Sequence, residues 1–194
     1  MPETLIGYGR RRSSLRDVVL CIDQSGSMAP SVVYSSIFGA VMASMPALST
    51  RFVLFDTAVV DLTDELHDPV DLLFGTQLGG GTDVHKALTY CESRITRPAD
   101  TVMVLVSDLC EGGSVAGMMK TAARIKESGV QLIALLALSD EGKPWYDARN
   151  AAAFAEMDIP VFACTPDRFP DLMAAALAKR DLKLWAEASL RQGG

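Results

Sequence analysis

The sequence predicts a doubly wound (Rossmann-like) α/β domain: a mostly parallel sheet of about six strands with one short antiparallel edge strand, and helices on both faces. Three observations lead there. Continuous apolar runs at 18–22, 102–106 and 130–138 read as strands buried on both sides, as in parallel sheets. Segments with helical spacing separate these runs, so strands and helices alternate along the chain. The 194 residues, 49% of them hydrophobic, suffice for one sizeable core without requiring a second domain.

Taken in order, residues 1–16 carry Arg10, Arg11, Arg12 and Arg16 and read as a basic, flexible leader. The domain proper is expected over 17–190, with 191–194 as a flexible tail. Strands are expected at 18–23, 51–56, 58–62, 101–107, 130–138 and 159–164. Pro30 suits a first helical turn, and Val33, Ile37, Val41 and Met45 recur at helical spacing before Pro46. The segments 51–57 and 58–62 read as a hairpin, which supplies the antiparallel edge strand. Further helices are expected at 83–95, 114–128, 146–157 and 168–190.

Composition narrows the function. A net charge of −6 argues against a nucleic-acid surface, because phosphate binding draws on excess Lys and Arg. The apolar runs fall short of a membrane span and the N-terminal residues lack the apolar core of a secretory signal, so a soluble, cytoplasmic chain without a membrane partner is expected. Cys21, Cys91, Cys110 and Cys164 show no Cys-x-x-Cys spacing and fit reduced thiols. Cys110 reads either as a buried, inert thiol or as an accessible one beside Asp108.

Chemistry concentrates at predicted strand ends, where open α/β sheets bind ligands. Asp23-Gln24-Ser25-Gly26-Ser27-Met28 follows the first strand, Gly79-Gly80-Gly81-Thr82-Asp83 forms a flexible loop, and Ser107-Asp108 ends a later apolar strand. Mg²⁺ prefers a near-octahedral shell of oxygens and keeps some water, and alternate residues of a tight loop can present Asp and Ser oxygens to one point. Asp23, Ser25, Ser27, Thr82 and Asp108 are therefore the candidate metal ligands. His67 and His85 lie in no zinc-type spacing.

This ordered set resembles the metal-ion-dependent adhesion site of the von Willebrand factor A family, a similarity extending over about residues 17–179. The resemblance implies that Ser25, Ser27 and Thr82 contact the metal directly, while Asp23 and Asp108 act through bound water or hydrogen bonds. It implies Mg²⁺, with Mn²⁺ as the alternative ion, and a protein ligand whose Asp or Glu completes the shell. Recognition rather than catalysis is the expected activity. The run Ser-Asp-Leu-Cys-Glu-Gly-Gly at 107–113 resembles bacterial intracellular members, including CoxE-like proteins that accompany MoxR-type AAA+ ATPases, so such an ATPase is an expected partner. By the same resemblance the last helix, 169–190, is either a gate that slides when ligand binds or a fixed cover for the sheet.

Neighbouring residues carry two readings each. Met28 is an exposed rim contact or packs beneath the loop; Asp83 orients Thr82 or caps the next helix. Glu111 tunes the site or is a solvated loop residue, and Trp145 and Tyr146 contact a partner or anchor a helix. Two other functions compete. A haloacid-dehalogenase-type phosphatase needs Asp-x-Asp, but Ser25 stands at the second carboxylate, and neither Gly-x-Ser-x-Gly nor a Gly-x-Gly-x-x-Gly phosphate loop follows the first strand. The other is a scaffold in which metal only holds loops together.

Overall fold

The computed structural model describes residues 16–45, 49–66, 71–72, 75–76, 78–138 and 145–191. The expected leader up to residue 15, the tail from 192 and His67 lie outside the described residues. The chain runs β1 (Asp17–Asp23), a 3-10 turn (Gly26–Ser31), α1 (Val32–Ala43), β2 (Ser49–Phe55), β3 (Val59–Asp61), α2 (Val84–Arg94), β4 (Thr101–Ser107), α3 (Val115–Glu127), β5 (Gln131–Leu136), α4 (Ala148–Glu156), β6 (Val161–Ala163), α5 (Phe169–Leu177) and α6 (Leu182–Arg191). The strands form one sheet in the order β3-β2-β1-β4-β5-β6. Among the described residues only the β2–β3 pairing is antiparallel.

The apolar runs reflect burial on both faces. In β1, Val18, Leu20 and Ile22 face one layer with Phe52, Phe169, Leu172 and Met173. Val19 and Cys21 face the other, with Leu88, Met118, Ile125 and Phe154. Successive side chains of a strand point to opposite faces, so a central strand with a layer on each side must be apolar at every position. Leu20 lies opposite Phe52 of β2 and Val104 of β4, which fixes the register of the three central strands. The Phe38 and Phe169 rings, with centroids 4.3 Å apart, join α1 to α5 across the first layer.

Three expectations need correction. The first helix does not run regularly from Pro30: a 3-10 turn occupies Gly26–Ser31, and α1 ends at Ala43. The expected helix at 146–157 starts two residues later, because Asp147 accepts hydrogen bonds from the amides of Arg149 and Asn150 and sets the cap there. Trp145 and Tyr146 therefore precede the helix.

The expected single helix over 168–190 is two helices. Lys179 adopts φ 55°, its amide donates to Ala176 O, and the Arg180 amide donates to Ala175 O. That pair of bonds is a Schellman ending. Asp181 then starts α6 by accepting from the amides of Lys183 and Leu184. Helix α5 buries Phe169, Leu172, Met173, Ala175 and Ala176, whereas α6 leaves Leu184 63% exposed and rests on Leu182 and on a Trp185–Phe162 edge contact. No single rod spans the segment, and the inner half belongs to the core. Among the described residues no helix is long and apolar enough to cross a membrane.

A lysine held at positive φ costs about 1 kcal/mol or more relative to glycine. Lys179→Gly is expected to stabilise the domain by roughly 0.5–1 kcal/mol, measured as a rise in the denaturant midpoint at unchanged slope. A lower midpoint would show that the side chain matters more than the backbone strain.

A candidate metal-binding rim

The carboxyl ends of β1, β2 and β4 form one polar rim, built on Asp23. This carboxylate is buried and held at both oxygens: Oδ1 accepts the Ser25 amide at 2.9 Å and Oδ2 accepts the Ser107 hydroxyl at 2.6 Å. The first bond curls the chain straight after β1 and brings the Ser25 and Ser27 hydroxyls within 3.1 Å of each other. The second joins β1 to β4. Ser107 Oγ also accepts the Leu109 amide at 2.9 Å, which helps hold Leu109 at φ 58°.

Thr82 is brought to the same rim through main-chain bonds. Gly26 N donates to Gly80 O at 3.0 Å and Gly79 N to Gln24 O at 3.2 Å, lacing the serine loop to the glycine loop. Gly112 N donates to Thr82 O at 2.9 Å, lacing Thr82 to the loop that follows Asp108. Glycine is required at both contacts: a Cβ at position 80 would lie 2.6 Å from Asp56 Oδ2, and one at position 112 would lie 2.8 Å from Thr82 O. The five expected residues therefore stand on three loops that hydrogen-bond directly to one another.

The electrostatics favour a positive guest. Asp108 is buried; its Oδ1 accepts the Cys110 amide at 2.9 Å, but Oδ2 is buried with no hydrogen-bond partner among the described residues. An unpaired buried carboxylate oxygen costs more than an ordinary lost hydrogen bond. Burial pushes the Asp23 carboxyl up to about 6 against the hydrogen bonds from Ser107 and Ser25, and the charge of Asp108 adds to the rise. Two carboxylates and two clustered hydroxyls at one rim suit a hard cation. Among the described residues no three His, Cys, Asp or Glu side chains gather as a metal cluster.

The ambiguous neighbours resolve. Met28 is fully buried in the first core layer, so it packs beneath the loop and is not a rim contact. Asp83 caps α2 by accepting from the Lys86 amide. Glu111 is neither free nor merely solvated: Oε2 accepts the His85 amide at 2.9 Å and Oε1 the Gly113 amide at 2.5 Å, so it too closes the first turn of α2. Cys110 is half-buried, and burial together with the Asp108 charge pushes its thiol up to about 11, which leaves it a poor nucleophile near neutrality. All four cysteines are free.

Three further residues complete the rim. Asp56, buried at the end of β2, accepts from the amides of Ala58 at 2.7 Å and Gly80 at 3.1 Å, while its main-chain oxygen receives the Asp83 amide. Ser107 positions Asp23. Asn150 of α4 donates to Leu109 O at 2.8 Å, and the Asp147 amide donates to Asp108 O, so α4 braces the Asp108 loop. Asp56 had one available signal: it follows an apolar strand, as Asp23 and Asp108 do.

A doubly wound sheet with hydroxyls and carboxylates gathered at its carboxyl edge is the architecture of a von Willebrand factor A domain. The sequence model described as VWA domain containing CoxE-like protein matches residues 1–173, and the chain belongs to that family. It is 39% identical over 168 residues to YehP of Escherichia coli (strain K12), covering 87% of this chain and 44% of YehP. The chain thus spans less than half the length of that curated relative. Solved structures share the fold at low identity. A von Willebrand factor type A structure from Catenulispora acidiphila aligns with TM-score 0.64 and 14% identity over 84% of this chain and 43% of the other. BatB from Bacteroides thetaiotaomicron aligns with TM-score 0.62 and 13% identity over 84% and 99%. The manganese-loaded TRAP protein of Plasmodium vivax aligns with TM-score 0.56 and 18% identity over 73% and 63%.

Asp56→Ala removes the acceptor for two main-chain amides and is expected to cost about 1–3 kcal/mol. Hydrogen exchange at Ala58 and Gly80 should accelerate beyond the change in global stability. Unchanged exchange at Gly80 would mean that Asp56 does not hold the glycine loop.

Proposed function

We propose that the chain is a Mg²⁺-dependent protein-binding domain, with Mn²⁺ as the alternative ion. Ser25, Ser27 and Thr82 hold the metal through their hydroxyls; Asp23 and Asp108 act through bound water or hydrogen bonds. The single observation that carries this reading is the buried Asp108 Oδ2, without a donor among the described residues, beside a carboxyl whose proton affinity is already raised. A divalent ion held mainly by neutral hydroxyls keeps most of its charge and attracts an Asp or Glu carboxylate from a partner protein.

The chain's own residues do the rest. Asp23 fixes the serine loop, Asp56 and Gly112 fix the Thr82 loop, and Asn150 and Asp147 brace Asp108, so the donors are organised before ligand arrives. Trp145 is 64% exposed and lies two residues from the amide that binds Asp108 O, and Val115 is exposed at the start of α3. These apolar side chains beside the rim support its use as a contact surface for protein. The resemblance of the 107–113 run to CoxE-like members points to a MoxR-type AAA+ ATPase as a partner, in a reducing cytoplasm that would suit free thiols. The domain recognises its partner without transforming it.

Calorimetry is expected to give Mg²⁺ binding by the wild type and at least about tenfold weaker binding by Asp23→Ala and Thr82→Ala, a loss of roughly 1.4 kcal/mol or more. Equal binding by all three proteins would overturn the metal assignment. A partner identified from cell extract should bind in Mg²⁺ and dissociate in chelator; equal affinity in both would favour a metal-stabilised scaffold. No hydrolysis of phosphate esters is expected. Turnover lost in Ser25→Ala would turn the reading toward a metal-dependent hydrolase or phosphatase.

A further inference from the structure

At the amino ends of β1, β2 and β4, the edge of the sheet opposite the rim, lies a cavity of about 180 Å³ whose lining includes Asp17, Ser49, Arg51, Arg94, Arg97 and Thr101. From Asp17 to Asp23 the strand spans about 20 Å, so this cavity is remote from the candidate metal residues. Three guanidiniums stand around one carboxylate here, although the chain carries a net charge of −6.

The three arginines differ in what they already do. Arg97 forks onto Asp17, Nε to Oδ2 at 3.1 Å and Nη2 to Oδ1 at 2.7 Å. Arg94 donates Nε to Tyr90 Oη at 3.2 Å and lies 5.1 Å above the Tyr90 ring, leaving its other donors for a guest. Arg51 donates no hydrogen bond to any described residue. Its charge acts on Asp61, but Asp61 is already hydrogen-bonded by Thr63 and by the Tyr90 hydroxyl. Asp100 acts on Arg97 without lining the cavity. The lining therefore keeps a positive surplus, with a guanidinium whose planar donors are uncommitted. A second concavity of about 290 Å³, lined in part by Arg16, Gln131 and Lys179, meets the first at Thr101 and extends the basic surface.

We propose that this pole binds a small phosphate-bearing molecule. Arg51 and Arg94 take its dianionic oxygens, Ser49 adds a hydroxyl, and Arg97, locked on Asp17, supplies positive field. Arginine's planar fork suits a phosphate group in a way a lysine's point charge does not. The cavity is large enough for a phosphate with a small carrier and too small for a protein element.

The test uses the full ¹⁵N-labelled chain in chelator, so that pyrophosphate cannot act through metal at the rim, with ionic strength held constant by chloride. Inorganic phosphate and pyrophosphate are expected to give saturable amide shifts confined to residues 49–51, 94–97 and 101, pyrophosphate binding more tightly. Arg51→Gln and Arg94→Gln should each weaken pyrophosphate binding by about tenfold or more; if one variant fails to fold, the other carries the test. Arg124→Gln, which removes a distant arginine paired with Glu92, should leave it unchanged. No saturable shift at about 10 mM pyrophosphate, or equal weakening by all three substitutions, would overturn the proposal. So would a short oligoglutamate peptide shifting these amides where pyrophosphate does not, which would make the pole a surface for an acidic protein segment.

Discussion

The rim depends on the carboxylate of Asp23, a buried charge-bearing group whose two oxygens tie together parts of the chain 84 residues apart in sequence. One oxygen bends the main chain at Ser25, directly where β1 ends, and the other receives Ser107 from β4. Without the first, the Ser25 and Ser27 hydroxyls would have no reason to converge. Without the second, the ends of the two central strands would meet only through sheet pairing, which stops at Ile22 and Val106. The local bond sets the shape of the loop and the long-range bond sets its place. Burial makes both matter, since neither oxygen can turn to water for an alternative donor.

Around this point the loops restrain one another more than the sheet restrains them. The serine loop bonds to the glycine loop, the glycine loop to Asp56, Thr82 to Gly112, and the Asp108 loop to α4. Nearly all of these bonds involve main-chain groups, which have few alternative positions. Acidic side chains along the rim, Asp56, Asp83, Glu111 and Asp147 among them, are used as acceptors for amides at turns and helix starts. They are structural anions whose charge is met by N–H dipoles. Asp108 departs from this pattern at one oxygen, which has no donor among the described residues.

The fold was legible because its central strands are buried on both faces. A sequence with no polar residue across 18–22 or 102–106 has few other ways to fold, and the hairpin at β2–β3 announced itself by the short interval around Asp56. The rim residues were legible as a spaced pattern at strand ends. What the sequence hid has physical causes. The break between α5 and α6 uses Lys179 at positive φ, where glycine would have given the stop away, and the apolar spacing continues on both sides of it. The 3-10 turn before α1 is invisible to periodicity, as it differs from an α-helix only in hydrogen-bond register over a few residues. Ser107 and Asn150 are single polar residues beside apolar runs, and only tertiary contact shows that their bonds go to Asp23 and Leu109.

The same parallel strands that gather hydroxyls and carboxylates at one edge begin, at the other, among arginines. This follows from where the chain is free to vary. A residue inside β1 or β4 must satisfy two apolar layers, so polar chemistry is confined to the ends, and a parallel sheet places all of one kind of end on one side. At the carboxyl edge the loops after β1 and β4 are short and locked, which suits fixed oxygen donors. At the amino edge the connection from α2 through Arg94 and Arg97 into β4 brings long cationic side chains over the starts of β1 and β2, where Asp17 secures one of them. Arginines reach across several ångströms of open space, so this edge suits a mobile anion better than a rigidly coordinated ion. The sheet therefore separates the two charges, and its direction assigns each to its own pole.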